Sequence, residues 1–96
     1  MKPVYEWDEK KAKENLRKHR VSFDEAETVF DDPLSITIRD PDHSEDEGRF
    51  VDIGQSYKGR VVVVSYTERG MRTRLIMARL ANRAERKKYE EEESII

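Results

Sequence analysis

RVVVVSYTERGMRTRLIMAR, residues 60–79, reads as a β-hairpin with its turn at Glu68-Arg69-Gly70. Four consecutive valines bounded by turn residues describe a strand buried on both faces, which belongs in the middle of a sheet and not at its edge. The second arm is different. On a regular period-2 strand Arg72, Arg74, Ile76 and Ala78 point one way, while Met71, Thr73, Leu75, Met77 and Arg79 point the other. The most apolar segment of the chain is thus joined to a row of guanidinium groups, so core and candidate site share one element. Arg74 and Arg79 fall on opposite faces of such a strand. Both serve one site only if a bulge intervenes, and the expectation is an irregularity near Met77-Ala78.

Outward from the hairpin, Tyr57-Lys58-Gly59 turns back to a strand over residues 49–56, with Val51 and Ile53 on one face. Leu34, Ile36 and Ile38 alternate with Ser35, Thr37 and Arg39 as a further half-buried strand. Strands joined in sequence by short turns make an antiparallel meander. Before them, Ser22 opens a helix with the capping box Ser22-x-x-Glu25 and an apolar face of Phe23, Ala26, Val29 and Phe30; Asp31-Asp32-Pro33 stops it. An earlier helix, capped by Asp8 and ending at Arg20, carries only Ala12 and Leu16 as an apolar seam and follows a short strand at residues 4–7. Beyond the hairpin, Asn82-x-x-Glu85 caps a last helix anchored by Ala84 and Tyr89. Its tail, residues 90–96, is expected to fray, because a run of glutamates at a helix C-terminus opposes the macrodipole. The sum is an α+β chain of one domain over residues 1–96: N-terminal helices packed on a mainly antiparallel sheet, then a C-terminal helix.

A charged fraction of 42% against 35% hydrophobic residues would fit a disordered chain, but the apolar residues are clustered and periodic, so a folded domain with a charged surface is the better reading. The absence of cysteine removes disulfides and thiolate chemistry and is compatible with a reducing cytoplasm. No segment approaches the ~18–20 apolar residues of a membrane span, and the start MKPVYEWDEKK has no signal core. The formal net charge of -2 conceals a dipole: residues 31–47 hold seven carboxylates against Arg39 alone, while residues 57–88 hold ten Lys and Arg against Glu68 and Glu85. A basic half of that density attracts polyanions or an acidic partner.

Three chemistries are set aside. Asp40, Asp42, His43, Glu45 and Glu47 crowd one loop without the EF-hand spacing or its glycine, so no metal is expected. Ser44 beside His43 makes no hydrolytic triad, and glycine-rich phosphate loops are absent. What remains is the arginine set. Arginine offers a fixed fork of donors matched to phosphate oxygens, and several such groups converging on one phosphate stabilise a phosphorane without any metal. Arg49, Arg69, Arg72, Arg74 and Arg79 are the candidates, with Glu47 or His19 as general base on a ribose 2′-hydroxyl. The competing reading is that these arginines solubilise the surface or pair with the acidic loop. Lys11, Asn15 and His19, at i, i+4 and i+8, form a polar line that is either a solvated helix face or one turned to substrate or partner.

Several dispersed motifs add a resemblance. Y-E-W-D-x-x-K-x-x-x-N-x-x-K-H-x-V-S-F across residues 5–23, D-P-D-H-S-x-x-E-x-R across 40–49, T-E-R-G across 67–70, R-L-I-M-A-R across 74–79 and N-R-x-E-R-x-x-Y across 82–89 resemble BrnT-type toxins of bacterial type II toxin-antitoxin systems. The resemblance implies a RelE-like α+β fold, a metal-independent endoribonuclease that inhibits translation in the cytoplasm, and no cofactor. It implies an RNA substrate, a BrnA-like antitoxin, operator DNA bound only through that antitoxin, and a toxin dimer within a heterotetramer. The family positions carried onto this chain are Lys11, Asn15, His19, Glu47, Arg49, Arg69, Arg74 and Arg79, and the resemblance does not settle which of them does the chemistry. The reading adopted from the residues takes Glu47, Arg49, Arg69, Arg79 and His19 as catalytic and Lys11, Asn15, Arg72 and Arg74 as RNA-binding. Met77 departs from the family, which reads serine there; methionine cannot donate a hydrogen bond. Two rival readings are a non-catalytic protein that docks RNA or antitoxin, and a structural subunit of a repressor complex.

Overall fold

The computed structural model describes residues 4–39 and 48–95, the side chains of 92–95 excepted. In chain order it contains β1 (Val4–Glu6), α1 (Glu9–His19), α2 (Phe23–Glu27), a 3-10 turn (Thr28–Asp31), β2 (Ile36–Arg39), β3 (Arg49–Gln55), β4 (Val61–Arg69), β5 (Arg72–Leu80) and α3 (Arg83–Ile95). The strands form one sheet in the order β1-β5-β4-β3-β2. The valine run is therefore central, as a doubly buried strand must be, with Val62, Val63 and Val64 all buried. β2 to β5 are an antiparallel meander, and β1 adds to β5 in parallel, a pairing that requires the long crossover through both helices.

Each face of the sheet has its own core. On one face Val62, Val64, Tyr66, Leu75 and Ala78 pack against Val21, Phe23, Ala26 and Val29, the apolar positions read from the α2 sequence. Aromatic rings close this layer: Phe30 meets Tyr66 edge-on at 4.9 Å and stacks on Tyr5 at 5.2 Å. Each fully buried Val, Leu or Phe here stabilises the fold by about 1.5–3 kcal/mol. The opposite face has a smaller core of Ile53, Val63, Ala81 and Tyr89. α3 lies on that face, yet Ala84, expected as an anchor, is exposed; Tyr89 is the buried residue of the helix, with its hydroxyl donating to Asp32 Oδ2 at 2.6 Å, and Glu85 ties it to Arg79 of β5. Among the described residues, a helix so held covers only one end of this face. Its backbone is helical to Ile95.

The caps show which side chains have other work. Asn82 and Glu85 form a reciprocal box, Asn82 N–H to Glu85 Oε1 at 2.9 Å and Glu85 N–H to Asn82 Oδ1 at 2.8 Å. The Ser22 box is only half made. Ser22 Oγ accepts from Glu25 N–H, but the Glu25 carboxylate turns away to Ser56 and Arg60. α1 ends on Arg20 in the left-handed region at φ 60°, without the usual glycine, and the Arg60 guanidinium holds the Arg20 carbonyl at 3.0 Å. Gly54 is required by close approach: a Cβ there would meet Ser35 Cβ and Val29 Cγ1 at 2.9 Å, so the segment after α2 lies directly on β3.

Asn15 corrects one expectation. It is 6% exposed, and its amide donates to Val21 O at 2.9 Å and Ala78 O at 2.8 Å while accepting from Ala78 N–H at 3.1 Å. β1 pairs with β5 only at residues 72–74, so Ala78 on that edge has no strand beyond it, and Asn15 takes the place of one. Asn15→Ala is expected to lower stability by about 2 kcal/mol, because it leaves two carbonyls and an N–H unpaired in a buried place. A chemical denaturation midpoint unchanged from the parent would overturn that role.

Candidate functional site

Directly paired residues of neighbouring antiparallel strands project to the same face. β3 pairs Arg49 with Thr67; β4 pairs Thr67 with Arg74 and Arg69 with Arg72; β1 sets Glu6 beside Arg74. Nearer α3, Val63 pairs with Arg79. The decisive irregularity lies in β5. Ser65 pairs with Met77 and Tyr66 with Leu75, so Ile76 has no partner and the strand bulges there. A bulge of one residue reverses the parity beyond it. Arg79, which a regular strand would turn to the other side, joins Arg49, Arg69, Arg72 and Arg74 on the face that α3 only partly covers. The irregularity falls one residue before the expected Met77-Ala78.

The five arginines are not equivalent. Arg79 makes a fork with Glu85 at the start of α3, Nη1 to Oε1 at 2.7 Å and Nη2 to Oε2 at 2.8 Å. The Arg79 hydrogen bonds hold the Glu85 carboxyl below the usual carboxylate range, and those to Glu85 raise the guanidinium further. Glu6 receives Arg72 at 3.0 Å and Arg74 at 3.3 Å, which lowers its pKa, chiefly through Arg72. Such exposed pairs contribute little stability and exchange readily for another anion. Arg49 differs again. Among the described residues, Arg49 Nε and Thr67 Oγ1 are the buried side-chain polar atoms without a hydrogen-bond partner, and they stand directly opposite each other on β3 and β4.

A groove of about 530 Å³ runs from this face beneath α3. Val51, Ile53 and Val63 form its floor, and Arg79, Glu85 and Lys88 line it. Met77 lies there too, beside its pair partner Ser65, so a thioether lines the groove.

The remaining expected residues are elsewhere. Lys11 and His19 sit one turn either side of Asn15 on α1, whose Ala12 packs with the opposite core, so this line stands behind the sheet and not on its arginine face. Glu47 and the acidic segment with Asp40, Asp42, His43 and Glu45 lie outside the described residues. Among the described residues no group of three His, Asp or Glu is arranged for a metal ion. Sequence reasoning missed Glu6, Glu85 and Thr67 as members of this face. For Thr67 a signal existed, since Val61, Val63, Ser65, Thr67 and Arg69 alternate on one strand; for Glu6 none did, because parallel pairing of a three-residue strand leaves no periodicity.

A family model described as "Ribonuclease toxin, BrnT, of type II toxin-antitoxin system" matches residues 7–85. No curated protein matches the chain. Among solved structures it is similar to the ribonuclease toxin BrnT of Brucella abortus, with 20% identity and a TM-score of 0.66, covering 83% of this chain and 99% of that one. At that identity the likeness speaks for the fold.

Proposed function

The chain belongs to the BrnT family of ribonuclease toxins of type II toxin-antitoxin systems, and from that premise we propose that it cuts RNA without a metal ion, on the arginine face of the sheet. The observation that carries this reading is the bulge at Ile76, which gives Arg49, Arg69, Arg72, Arg74 and Arg79 one common face. Permanently charged forks supply the charge stabilisation that a metal would otherwise bring. In the step we propose, a ribose 2′-oxygen attacks the adjacent phosphorus as Glu47, two residues before Arg49 in sequence, accepts its proton. Arg49 and Arg69 neutralise the phosphorane, and the 5′-oxygen leaves with a proton from solvent. Arg79, which pairs with Val63, six residues along β4 from Arg69, holds a phosphate further along the RNA. Arg72 and Arg74 hold the neighbouring phosphate, exchanging Glu6 for it. The position of His19 behind the sheet favours Glu47 as base.

Membership of a type II toxin-antitoxin family supports an antitoxin partner; we propose that it is a BrnA-like protein that neutralises the toxin, in a heterotetramer around a toxin dimer that reaches operator DNA through the antitoxin. Translation would be the process inhibited, in the cytoplasm. No helix among the described residues is long and apolar enough to cross a membrane.

Cleavage of a labelled RNA by the purified chain is expected to proceed undiminished in excess EDTA. Cutting abolished by chelation and restored by a divalent ion would refute the metal-free mechanism. The ion pairs of Arg72, Arg74 and Arg79 favour a second reading, in which the face only docks RNA or antitoxin. Steeply salt-dependent RNA binding with no cutting under any of these conditions would select it.

A further inference from the structure

Thr67 is the member of the arginine face that the proposed step leaves without work. It is the middle of a row that crosses the sheet, Arg49 on β3, Thr67 on β4, Arg74 on β5 and Glu6 on β1. With strands 4.7–4.9 Å apart, its hydroxyl stands between two guanidinium-bearing positions roughly 10 Å from each other. Thr67 is 1% exposed, and Oγ1 has no hydrogen-bond partner. A buried hydroxyl left unpaired is a standing penalty. Stability alone would place valine here: it has the same shape and high strand propensity, and it occupies positions 61 and 63 of the same strand parity. The residue opposite repeats the anomaly, since Arg49 Nε is also buried and unpaired. One acceptor oxygen set between these directly facing positions would satisfy both donors.

We propose that Thr67 Oγ1 and Arg49 Nε form a donor pair for one non-bridging oxygen of the phosphodiester, with Thr67 as the floor of the phosphate site. The proposal rests on the reading of this face as the nuclease site. It makes Thr67 a substrate-contacting residue, reached when the arginine side chains turn from the sheet toward RNA. The Thr67 hydroxyl donates to the phosphate oxygen and transfers no proton. It would therefore act on affinity for the charged phosphate and on the phosphorane alike, and not on the identity of the base beside it.

The test is isosteric. Thr67→Val removes the hydroxyl and keeps the volume; Thr67→Ser keeps the hydroxyl and removes the methyl; Thr67→Ala stands in for the valine should the latter melt lower than the parent. Each is assayed for kcat/KM on a short RNA in EDTA, for binding of the same oligonucleotide with 2′-deoxy sugar at the cut, and for Tm. The expected result is a Tm for Thr67→Val equal to or above the parent's, with kcat/KM and analogue binding both reduced, kcat/KM by roughly tenfold to a hundredfold, and Thr67→Ser within about threefold of the parent. Full activity in Thr67→Val, or a loss in Thr67→Ser as large as in Thr67→Val, would overturn the proposal. If the parent does not cut, or Arg49→Ala cuts like the parent, the nuclease reading of the face fails and this proposal with it. If Arg49→Ala is inactive while Thr67→Val is fully active, only the role of Thr67 fails.

Discussion

Arg49→Ala is expected to reduce RNA cleavage by two to three orders of magnitude while moving the thermal transition by no more than a few degrees. The size of the first effect is that of removing one preorganised donor from a site where negative charge develops. The small size of the second follows from where the side chain stands. Its Nε is buried and unpaired, so truncation removes a desolvation penalty as it removes the packing of the aliphatic stem, and the two changes offset. A structural arginine behaves in the opposite way, losing stability first and activity only through it. Circular dichroism melts beside single-turnover cleavage separate the two. An Arg49→Ala protein that melts normally and cuts at the parental rate would remove the centre of the proposed site.

Arg72, Arg74 and Arg79 are weaker probes because each has a carboxylate to leave behind. Arg79→Ala strips Glu85 of its fork while Glu85 still holds the α3 cap, so a fall in activity there mixes catalysis with a disturbed helix start. Arg72 and Arg74 share Glu6, and loss of either leaves the other more tightly paired. The same pairs make phosphate binding an exchange of one anion for another.

The hairpin made much of this legible in the sequence. Four valines can be satisfied only in a central strand, and the alternation of Val51 and Ile53 with polar residues placed β3 beside it. The need for a bulge was also readable, because parity separates Arg74 from Arg79 unless the strand is interrupted. Its location was not: Ile76, Met77 and Ala78 have similar strand propensities, and the choice falls to tertiary packing, which buries Ala78 beneath α1 and α2. Asn15 was misread for a related reason. A polar residue on a polar helix gives no sign that a strand edge with unpaired backbone lies opposite. Glu25 looked like half of a capping box, and nothing local announces that a carboxylate will instead bind an arginine 35 residues away.

That carboxylate carries the largest stability effect expected in the chain. Glu25 is 1% exposed, and it accepts from Ser56 Oγ at 2.7 Å and from Arg60 Nε at 2.9 Å, with a second Arg60 contact through Nη2. Arg60 also fixes the strained Arg20 carbonyl, so one guanidinium ties the end of α1, the start of α2 and the turn before β4. Arg60→Ala leaves a buried charge with one hydroxyl and Lys58, whose Nζ is 3.9 Å away. The expected loss is about 3 kcal/mol, the low end for breaking a buried pair because Arg60 is itself 32% exposed. In a domain of this size that is a fall in Tm on the order of 15 °C. The hydrogen bonds from Arg60 hold Glu25 below its ordinary value of 4.5, so its contribution is present above that pH and is lost as the pH falls through the folded value. The difference in stability between parent and Arg60→Ala should therefore be full at neutral pH, shrink as the pH falls below about 4.5, and vanish only below the lowered folded value of Glu25, where the carboxyl is neutral in both. Urea denaturation at pH 7 and pH 3.5 measures it, and a gap that is constant across the two would place the stabilisation in the Arg20 carbonyl contact and not in the ion pair.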